Sequence, residues 1–159
     1  MLCLAGQPNW LVSQRRLDGY RRGVREAGLD RDEGLILHGQ FDRASAGTRV
    51  RDALERGLVF DGVVAFNDYC AIGAMQALAA NGRRVPADVA VVGCDDIAVS
   101  QLVQPALTSI SFSQYQLGRA AAEFLLTPPS DAEENVVTYP HRLTLRASTD
   151  RRADTTPSN

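Results

Sequence analysis

The sequence contains no lysine, because all 17 of its basic residues are arginines. A phosphate-binding P-loop and a protein kinase site each need a lysine that reaches the phosphates, so both classes are excluded. Enzymes that form a Schiff base with a lysine amine are excluded for the same reason. The absence of one residue type therefore removes several common functions of α/β proteins.

Cysteine and histidine are also scarce, with three and two copies in the chain. Cys3, Cys70 and Cys94 are odd in number and far apart, which does not indicate a disulfide framework. His38 and His141 are isolated, and no spacing typical of a zinc site occurs. The sequence therefore predicts small buried cysteines, with no metal site and no cofactor.

Long hydrophobic runs and a strong excess of charge are missing too. No segment approaches the roughly 18 apolar residues that a membrane-spanning helix needs. The first ten residues have neither the basic start nor the apolar stretch of a signal peptide, which predicts a cytoplasmic protein without a membrane partner. A net charge of −2 lacks the basic character of a nucleic-acid-binding domain. The 159 residues, 45% of them apolar, suit one compact domain.

Short apolar runs alternate with segments of helical periodicity, which predicts an α/β fold with a parallel sheet. The predicted strands are 2–5, 35–38, 62–66, 89–93, 107–111, 136–139 and 142–145. The predicted helices run from Ser13 to Gly28, over 46–56, from Asp68 to Asn81, around 99–102 and over 115–126. Ser13 and Asp68 are the predicted N-caps of their helices, and Asp95 or Asp96 that of the short helix. Residues 127–135 are predicted to be a loop, and the tail from Arg151 is predicted to be disordered.

Polar and aromatic side chains follow the predicted strands, at the edge where an open parallel sheet binds ligands. Carboxylates, an amide and an arginine beside aromatic rings suit a small polyol, whose hydroxyls need hydrogen bonds and whose ring needs an apolar wall. Each residue also has a purely structural interpretation, as a helix cap for Asp68 or as packing for the aromatic rings. These candidates are Arg16, Asn67, Asp68, Asp95, Asp96, Phe41 and Trp10.

The sequence lacks the usual motifs of an enzyme. Neither a Gly-x-Ser-x-Gly elbow nor a Gly-x-Gly-x-x-Gly fingerprint is present. The adjacent Asp95 and Asp96 resemble the metal-binding acids of phosphotransfer domains, but the partner lysine of those domains is absent. The sequence predicts that the protein is not an enzyme. A less favoured hypothesis, a hydrolase that uses Asp95 and Asp68, stays open.

The longest recognisable segment runs from Ala65 to Ile97 and reads AFNDYCAIGAMQALAANGRRVPADVAVVGCDDI. It resembles the effector-sensing domain of the lactose/galactose repressor (LacI/GalR) family, and the segments RRLDGY, PALTSI and QLGRAAAEFLL lie in register with that family. The resemblance implies a periplasmic-binding-protein-like type I fold, in which two α/β lobes flank an effector cleft. It further implies that residues 1–149 are a partial sensor domain, namely the three-layer C-terminal lobe plus a helix that returns to an absent N-terminal lobe. Residues 150–159 are then a tail, and the helix-turn-helix DNA-binding domain is absent.

Roles carried over from the family by position identify Arg16, Asn67 and Asp95 as effector-binding residues. Phe41 lies where an aromatic ring stacks on the ligand, and Phe112 occupies a crossing segment that faces the cleft. Two departures, Trp10 outside the shared core and Cys94 in place of an aromatic residue, are expected to tune ligand identity. The family also implies a homodimer through the helix Asp68 to Asn81 and the turn Leu102 to Pro105.

The leading hypothesis is therefore a sensor: the effector-binding, dimerising portion of a repressor that responds to a sugar-like ligand. Operator DNA would be bound only through a helix-turn-helix domain outside this chain. The alternative is a periplasmic-type sugar-binding protein that serves transport. The helix at 115–126 is expected to bury Leu117, Phe124 and Leu125 against the absent lobe, so we expect the isolated chain to be poorly soluble or partly unfolded.

Overall fold

The computed structural model describes residues 1–29, 32–127 and 138–151, which contain a six-stranded sheet in the order β2-β1-β3-β4-β5-β6. The first five strands are parallel to their neighbours, and β6 is antiparallel to β5. The predicted α/β class with a parallel sheet is confirmed. The strands are β1 (Leu2–Ala5), β2 (Ile36–His38), β3 (Gly62–Ala65), β4 (Ala90–Cys94), β5 (Thr108–Phe112) and β6 (His141–Thr144).

Helices cover both faces of the sheet, which makes three layers. Because side chains alternate along a strand, Cys3 and Ala5 face Leu17 of the first helix, whereas Leu2 and Leu4 face the second and third helices. The helices are α1 (Leu11–Glu26), α2 (Arg43–Glu55), α3 (Asp68–Ala80) and α4 (Gln114–Leu126). Short 3₁₀ helices lie at Glu33–Leu35, Ala98–Gln101 and Ala147–Thr149.

Helices α2 and α3 pack closely because glycines lie at their contact. A Cβ on Gly73 would lie 2.1 Å from the carbonyl oxygen of Arg43, and one on Gly47 would lie 3.2 Å from the carbonyl oxygen of Gly73. This close approach lets Val50 of α2 and Leu78 of α3 reach zero exposure in the main core.

The glycines after α1 and α2 end these helices as predicted, since Gly28 and Gly57 adopt φ of +66° and +73°. The start of α1 differs from the prediction. The helix begins at Leu11, Trp10 is its N-cap without a side-chain hydrogen bond, and Ser13 lies buried inside the first turn. The prediction that Ser13 caps α1 is wrong, because this small side chain packs instead where Gly6 leaves room for it.

The predicted cap of α3 is also wrong by one residue. Asn67, not Asp68, is the N-cap, and its Oδ1 accepts a hydrogen bond from the Cys70 amide at 2.8 Å. Ile97 precedes the 3₁₀ helix Ala98–Gln101 without a side-chain cap, so neither carboxylate of the Asp95–Asp96 pair caps that helix. The three carboxylates are thereby available for tertiary contacts.

Helix α4 has no buried residue among those described. The predicted loop at 127–135 falls almost wholly outside the described residues, as does the tail from 152 onward. Residues 136 and 137 of the predicted strand 136–139 lie outside as well, and Thr138 and Tyr139 belong to no strand. Among the helices of the described ranges, none combines the length and the apolarity that crossing a membrane would need.

Candidate functional site

Arg16 lies at the carboxyl ends of the central strands, as the sequence predicted. Its Nη2 is 3.6 Å from Oδ1 of Asp95, and its Cζ lies 4.3 Å from the ring centroid of Phe66. Its Nη1 donates a hydrogen bond to the carbonyl oxygen of Phe66. The two charged side chains are about one-third exposed, at 33% and 29%. An ion pair so exposed adds little stability, but its planar guanidinium and its carboxylate both remain partly accessible to a solute.

Asp95 and Asp96 form a turn with an unusual backbone. Their φ values are +109° and +50°, in a region that costs residues other than glycine on the order of 1–3 kcal/mol each. Burial raises the pKa of the Asp95 carboxyl, and the nearby Arg16 guanidinium partly offsets this effect. Strained backbone with a partly desolvated carboxylate is characteristic of binding and catalytic sites.

The two adjacent carboxylates point to different partners. Oδ1 of Asp96 is 2.6 Å from Nη2 of Arg146, and both side chains are largely buried, at 17% and 14% exposure. The hydroxyl of Thr144 donates to Oδ2 of Asp96 at 3.4 Å. Asp96 is therefore held by β6 and the segment after it, whereas Asp95 contacts Arg16 of α1.

Three aromatic rings form a wall beside the Arg16–Asp95 pair. The ring centroids of Trp10 and Phe41 are 4.8 Å apart, and those of Phe41 and Phe66 are 4.3 Å apart. A Cβ on Gly6 would lie 2.2 Å from Cε1 of Phe41, so a glycine is needed for this ring position. The sequence interpretation did not include Phe66. Its position directly after β3, at the same edge as Asn67, is the signal that would have identified it.

Asn67 connects the aromatic wall to α3. Its Nδ2 donates to the carbonyl oxygen of Phe41 at 3.1 Å, while its Oδ1 caps the helix, and the residue is only 9% exposed. An amide has two N–H donors and two lone pairs on its oxygen, so one of each stays available.

Phe112 shares a cavity with Asp95. Both residues line a cavity of about 630 Å³ together with His141. A second cavity of about 910 Å³ runs between α1 and the sheet, and Arg16, Phe66 and His141 line it. The structure thus brings Arg16 and Asp95 into contact. Trp10 and Asn67 contact Phe41, which is joined to Arg16 through Phe66. Phe112 lines a cavity with Asp95, and Arg16 lines a different one.

Asp68 does not belong to the open site. It has zero exposure, and both of its carboxylate oxygens accept hydrogen bonds within the protein. It therefore does not reach a solute, and a reaction that uses Asp95 and Asp68 together has no support in this geometry.

Metal and thiol chemistry also find little support. In the described part of the chain, no group of three or more His, Cys, Asp or Glu side chains could hold a metal ion. Burial raises the pKa of Cys70 and of Cys94 to about 11 and that of Cys3 to about 12. The three thiols are thus protonated at neutral pH and are poor nucleophiles or ligands.

Known proteins have a similar architecture and a related sequence. Residues 1–149 match the family described as the periplasmic binding protein-like domain. The helix-turn-helix-type transcriptional regulator CelR of Thermobifida fusca is 37% identical over 142 residues, covering 89% of this chain and 41% of CelR.

Two solved structures are similar as well. The complex of the regulator CelR with cellobiose is 34% identical with a TM-score of 0.79, covering 92% of this chain and 46% of that one. The lac repressor dimer bound to operator and the anti-inducer ONPF is 28% identical with a TM-score of 0.86, covering 93% of this chain and 44% of that one. This chain therefore spans less than half of each of these relatives. It belongs to the periplasmic-binding-protein-like domain family, and the relatives that it matches are transcriptional regulators of the LacI family.

Proposed function

We propose that this chain is the effector-binding portion of a LacI-type transcriptional regulator that responds to a small sugar. The observation that carries the proposal is the contact between Arg16 and Asp95 beside the aromatic wall, at the carboxyl ends of parallel strands. Residues 1–149 form the partial sensor domain in this proposal. The relatives named as transcriptional regulators favour it over the transport alternative.

The chemistry of the site suits a polyol. The Arg16 fork donates to neighbouring hydroxyls, and the Asp95 carboxylate accepts from them, in hydrogen bonds stronger than those between neutral groups. Trp10 and Phe41 offer ring faces to the apolar face of a sugar. Asn67 contributes its remaining donor and acceptor, and Phe112 bounds the ligand across the turn.

The same geometry argues against glycoside hydrolysis. That reaction needs two carboxyl groups on either side of the scissile bond, roughly 5–9.5 Å apart and both able to reach it. Asp95 is open, but Asp68 is buried and Asp96 is held by Arg146. The similar proteins are also regulators rather than enzymes. Both observations support a site that binds its ligand without turnover.

A regulator of this type works as a dimer on DNA. The proposed interface is the exposed side of α3 with the turn Leu102 to Pro105, where Tyr69 is 54% and Leu102 is 76% exposed. The similar lac repressor structure is a dimer bound to operator. Effector binding shifts the population between two lobe arrangements with different affinity for the ligand. Operator contact belongs to a helix-turn-helix domain outside this chain.

Calorimetric titration of the intact protein, which in this proposal carries both lobes of the cleft, with a sugar panel that includes cellobiose tests the proposal. Asp95→Ala is expected to weaken binding of the best panel sugar by about 10-fold or more, the usual cost of losing a charged hydrogen-bond partner. Asp61→Ala, at an exposed carboxylate outside the site, is the matched control and should bind like the parent. Equal binding by Asp95→Ala and the parent would remove Asp95 from the site, and binding of no panel sugar would contradict sugar sensing.

The genomic sequence upstream of the chain separates the regulator from the transport protein. A helix-turn-helix segment in the same reading frame is expected. A secretion signal in its place would favour the transport alternative.

A further inference from the structure

The carboxylate of Asp68 is buried directly behind the proposed site. Its Oδ2 accepts hydrogen bonds from the amide of Ile97 at 2.9 Å and from the hydroxyl of Ser100 at 2.6 Å. Its Oδ1 accepts one from the hydroxyl of Ser109 at 2.5 Å. A fully buried carboxylate is costly unless donors compensate for its lost hydration, and here three donors do so.

These bonds converge on the strained turn that carries Asp95. The amide of Asp96 donates to Oγ of Ser109 at 3.1 Å, and that hydroxyl in turn donates to Asp68. The next amide, that of Ile97, donates to Asp68 directly. The amide of Asp95 itself donates to the carbonyl oxygen of Ile110 at 2.9 Å. Each of the three successive amides thus has a defined acceptor. One acceptor is a backbone carbonyl, one is a hydroxyl that Asp68 orients, and one is Asp68 itself.

Strand β4 is shaped to let Asp68 approach. A Cβ on Gly93 would lie 2.2 Å from Oδ1 of Asp68 and 3.2 Å from its Cγ. Any larger residue at this position would displace the carboxylate from Ser109. The lack of a side chain at Gly93, two residues before Asp95, therefore lets Asp68 at the start of α3 reach Ser109.

We propose that Asp68 is a positioning residue that holds the turn of Asp95 and Asp96 in its positive-φ conformation and so directs Asp95 toward Arg16. Both members of the turn need outside hydrogen bonds, because their backbone conformation is unfavourable for L residues. The inference rests on the proposed function only for the ligand that Asp95 binds. The hold on the turn is a property of the protein alone.

Amide hydrogen exchange of the full chain, followed by NMR, tests this role with two matched serine variants. Ser109 and Ser148 both have zero exposure and both accept a backbone amide, from Asp96 and from Thr108 respectively. Ser109→Ala should speed exchange of the Asp96 amide by about tenfold relative to the core amide of Val63, and should leave Thr108 unchanged. Ser148→Ala should speed exchange of the Thr108 amide and leave that of Asp96 unchanged.

Asp68→Asn completes the test, because it keeps the shape of the side chain and removes the charge. The amides of Asp96 and Ile97 should both exchange faster in this variant, while that of Thr108 stays protected. An unchanged Asp96 amide in Ser109→Ala would overturn the inference, as would equal acceleration of Asp96 and Thr108 in both serine variants. If the chain binds no sugar, the proposed function fails while the exchange comparison still decides the role of Asp68.

Discussion

Helices α3 and α4 have the same length, 13 residues, but opposite surroundings. Eight residues of α3 are buried, including Leu78 and Asp68, and none of α4 is buried. Yet α4 carries an apolar stripe as well, with Phe124 and Leu125 at 41% and 83% exposure. Apolar periodicity therefore predicts which side of a helix seeks cover, whereas the partner that covers it depends on the rest of the fold.

The largest contrast should come from truncating a leucine in each helix. Leu78→Ala leaves a cavity in the main core and should lower the free energy of unfolding by about 2–5 kcal/mol. Leu125→Ala removes an exposed side chain and should change it by less than about 0.5 kcal/mol. Urea unfolding followed by circular dichroism measures both. Similar losses in the two variants would mean that α4 is covered in solution.

A smaller contrast should come from adding one methyl group to each helix. Gly73→Ala drives a Cβ against the Arg43 carbonyl oxygen and should destabilise the chain by about 1–3 kcal/mol. At Gly118 a Cβ would meet nothing within 4 Å, so Gly118→Ala should stabilise the chain by up to about 1 kcal/mol through helix propensity. The shift of the urea midpoint in opposite directions is the expected result. A destabilising Gly118→Ala would show a neighbour packed against α4.

The smallest effect on stability, but a clear one on association, should come from charging the exposed end of α4. Leu125→Glu with Leu126→Glu should reduce self-association of the chain, because both leucines are 83% exposed beside Phe124. Leu145→Glu, at a 73% exposed leucine outside α4, is the control. Sedimentation velocity over a range of concentrations measures the effect. Association that persists equally in all variants would show that the chain self-associates through a surface other than the end of α4.

The sequence predicted the ends of helices well where a single residue determines the backbone conformation. Gly28 and Gly57 end their helices because a glycine readily adopts positive φ. Capping was less predictable, since Asn67 and Asp68 are both good cap residues at adjacent positions. Only the packing of α3 against the sheet decided which of them caps the helix and which is buried.

The candidate site divides in the same way. Ligands of an open parallel sheet bind at the carboxyl ends of its strands. Asp95 directly follows β4, and Arg16 lies near the start of the helix that follows β1, so their proximity was predictable. The contact of the Phe66 ring with Phe41 and the pairing of Asp96 with Arg146 were not, because each depends on side-chain directions and on segments distant in the sequence. The strain of the turn was equally hidden, since an Asp-Asp pair does not by itself indicate positive φ.

The sequence by itself determined the α/β class, the alternation of strands and helices that makes a parallel sheet, and the edge of the sheet at which the polar side chains lie. These follow from periodicity and chain connectivity, which are local properties. Tertiary structure alone decided that Asp95 contacts Arg16, that Asp96 pairs with Arg146 and that Asp68 is buried. These three chemically identical carboxylates differ in their contacts and exposure. Burial, neighbouring donors and backbone geometry depend on the surrounding structure, so the residue type does not reveal them.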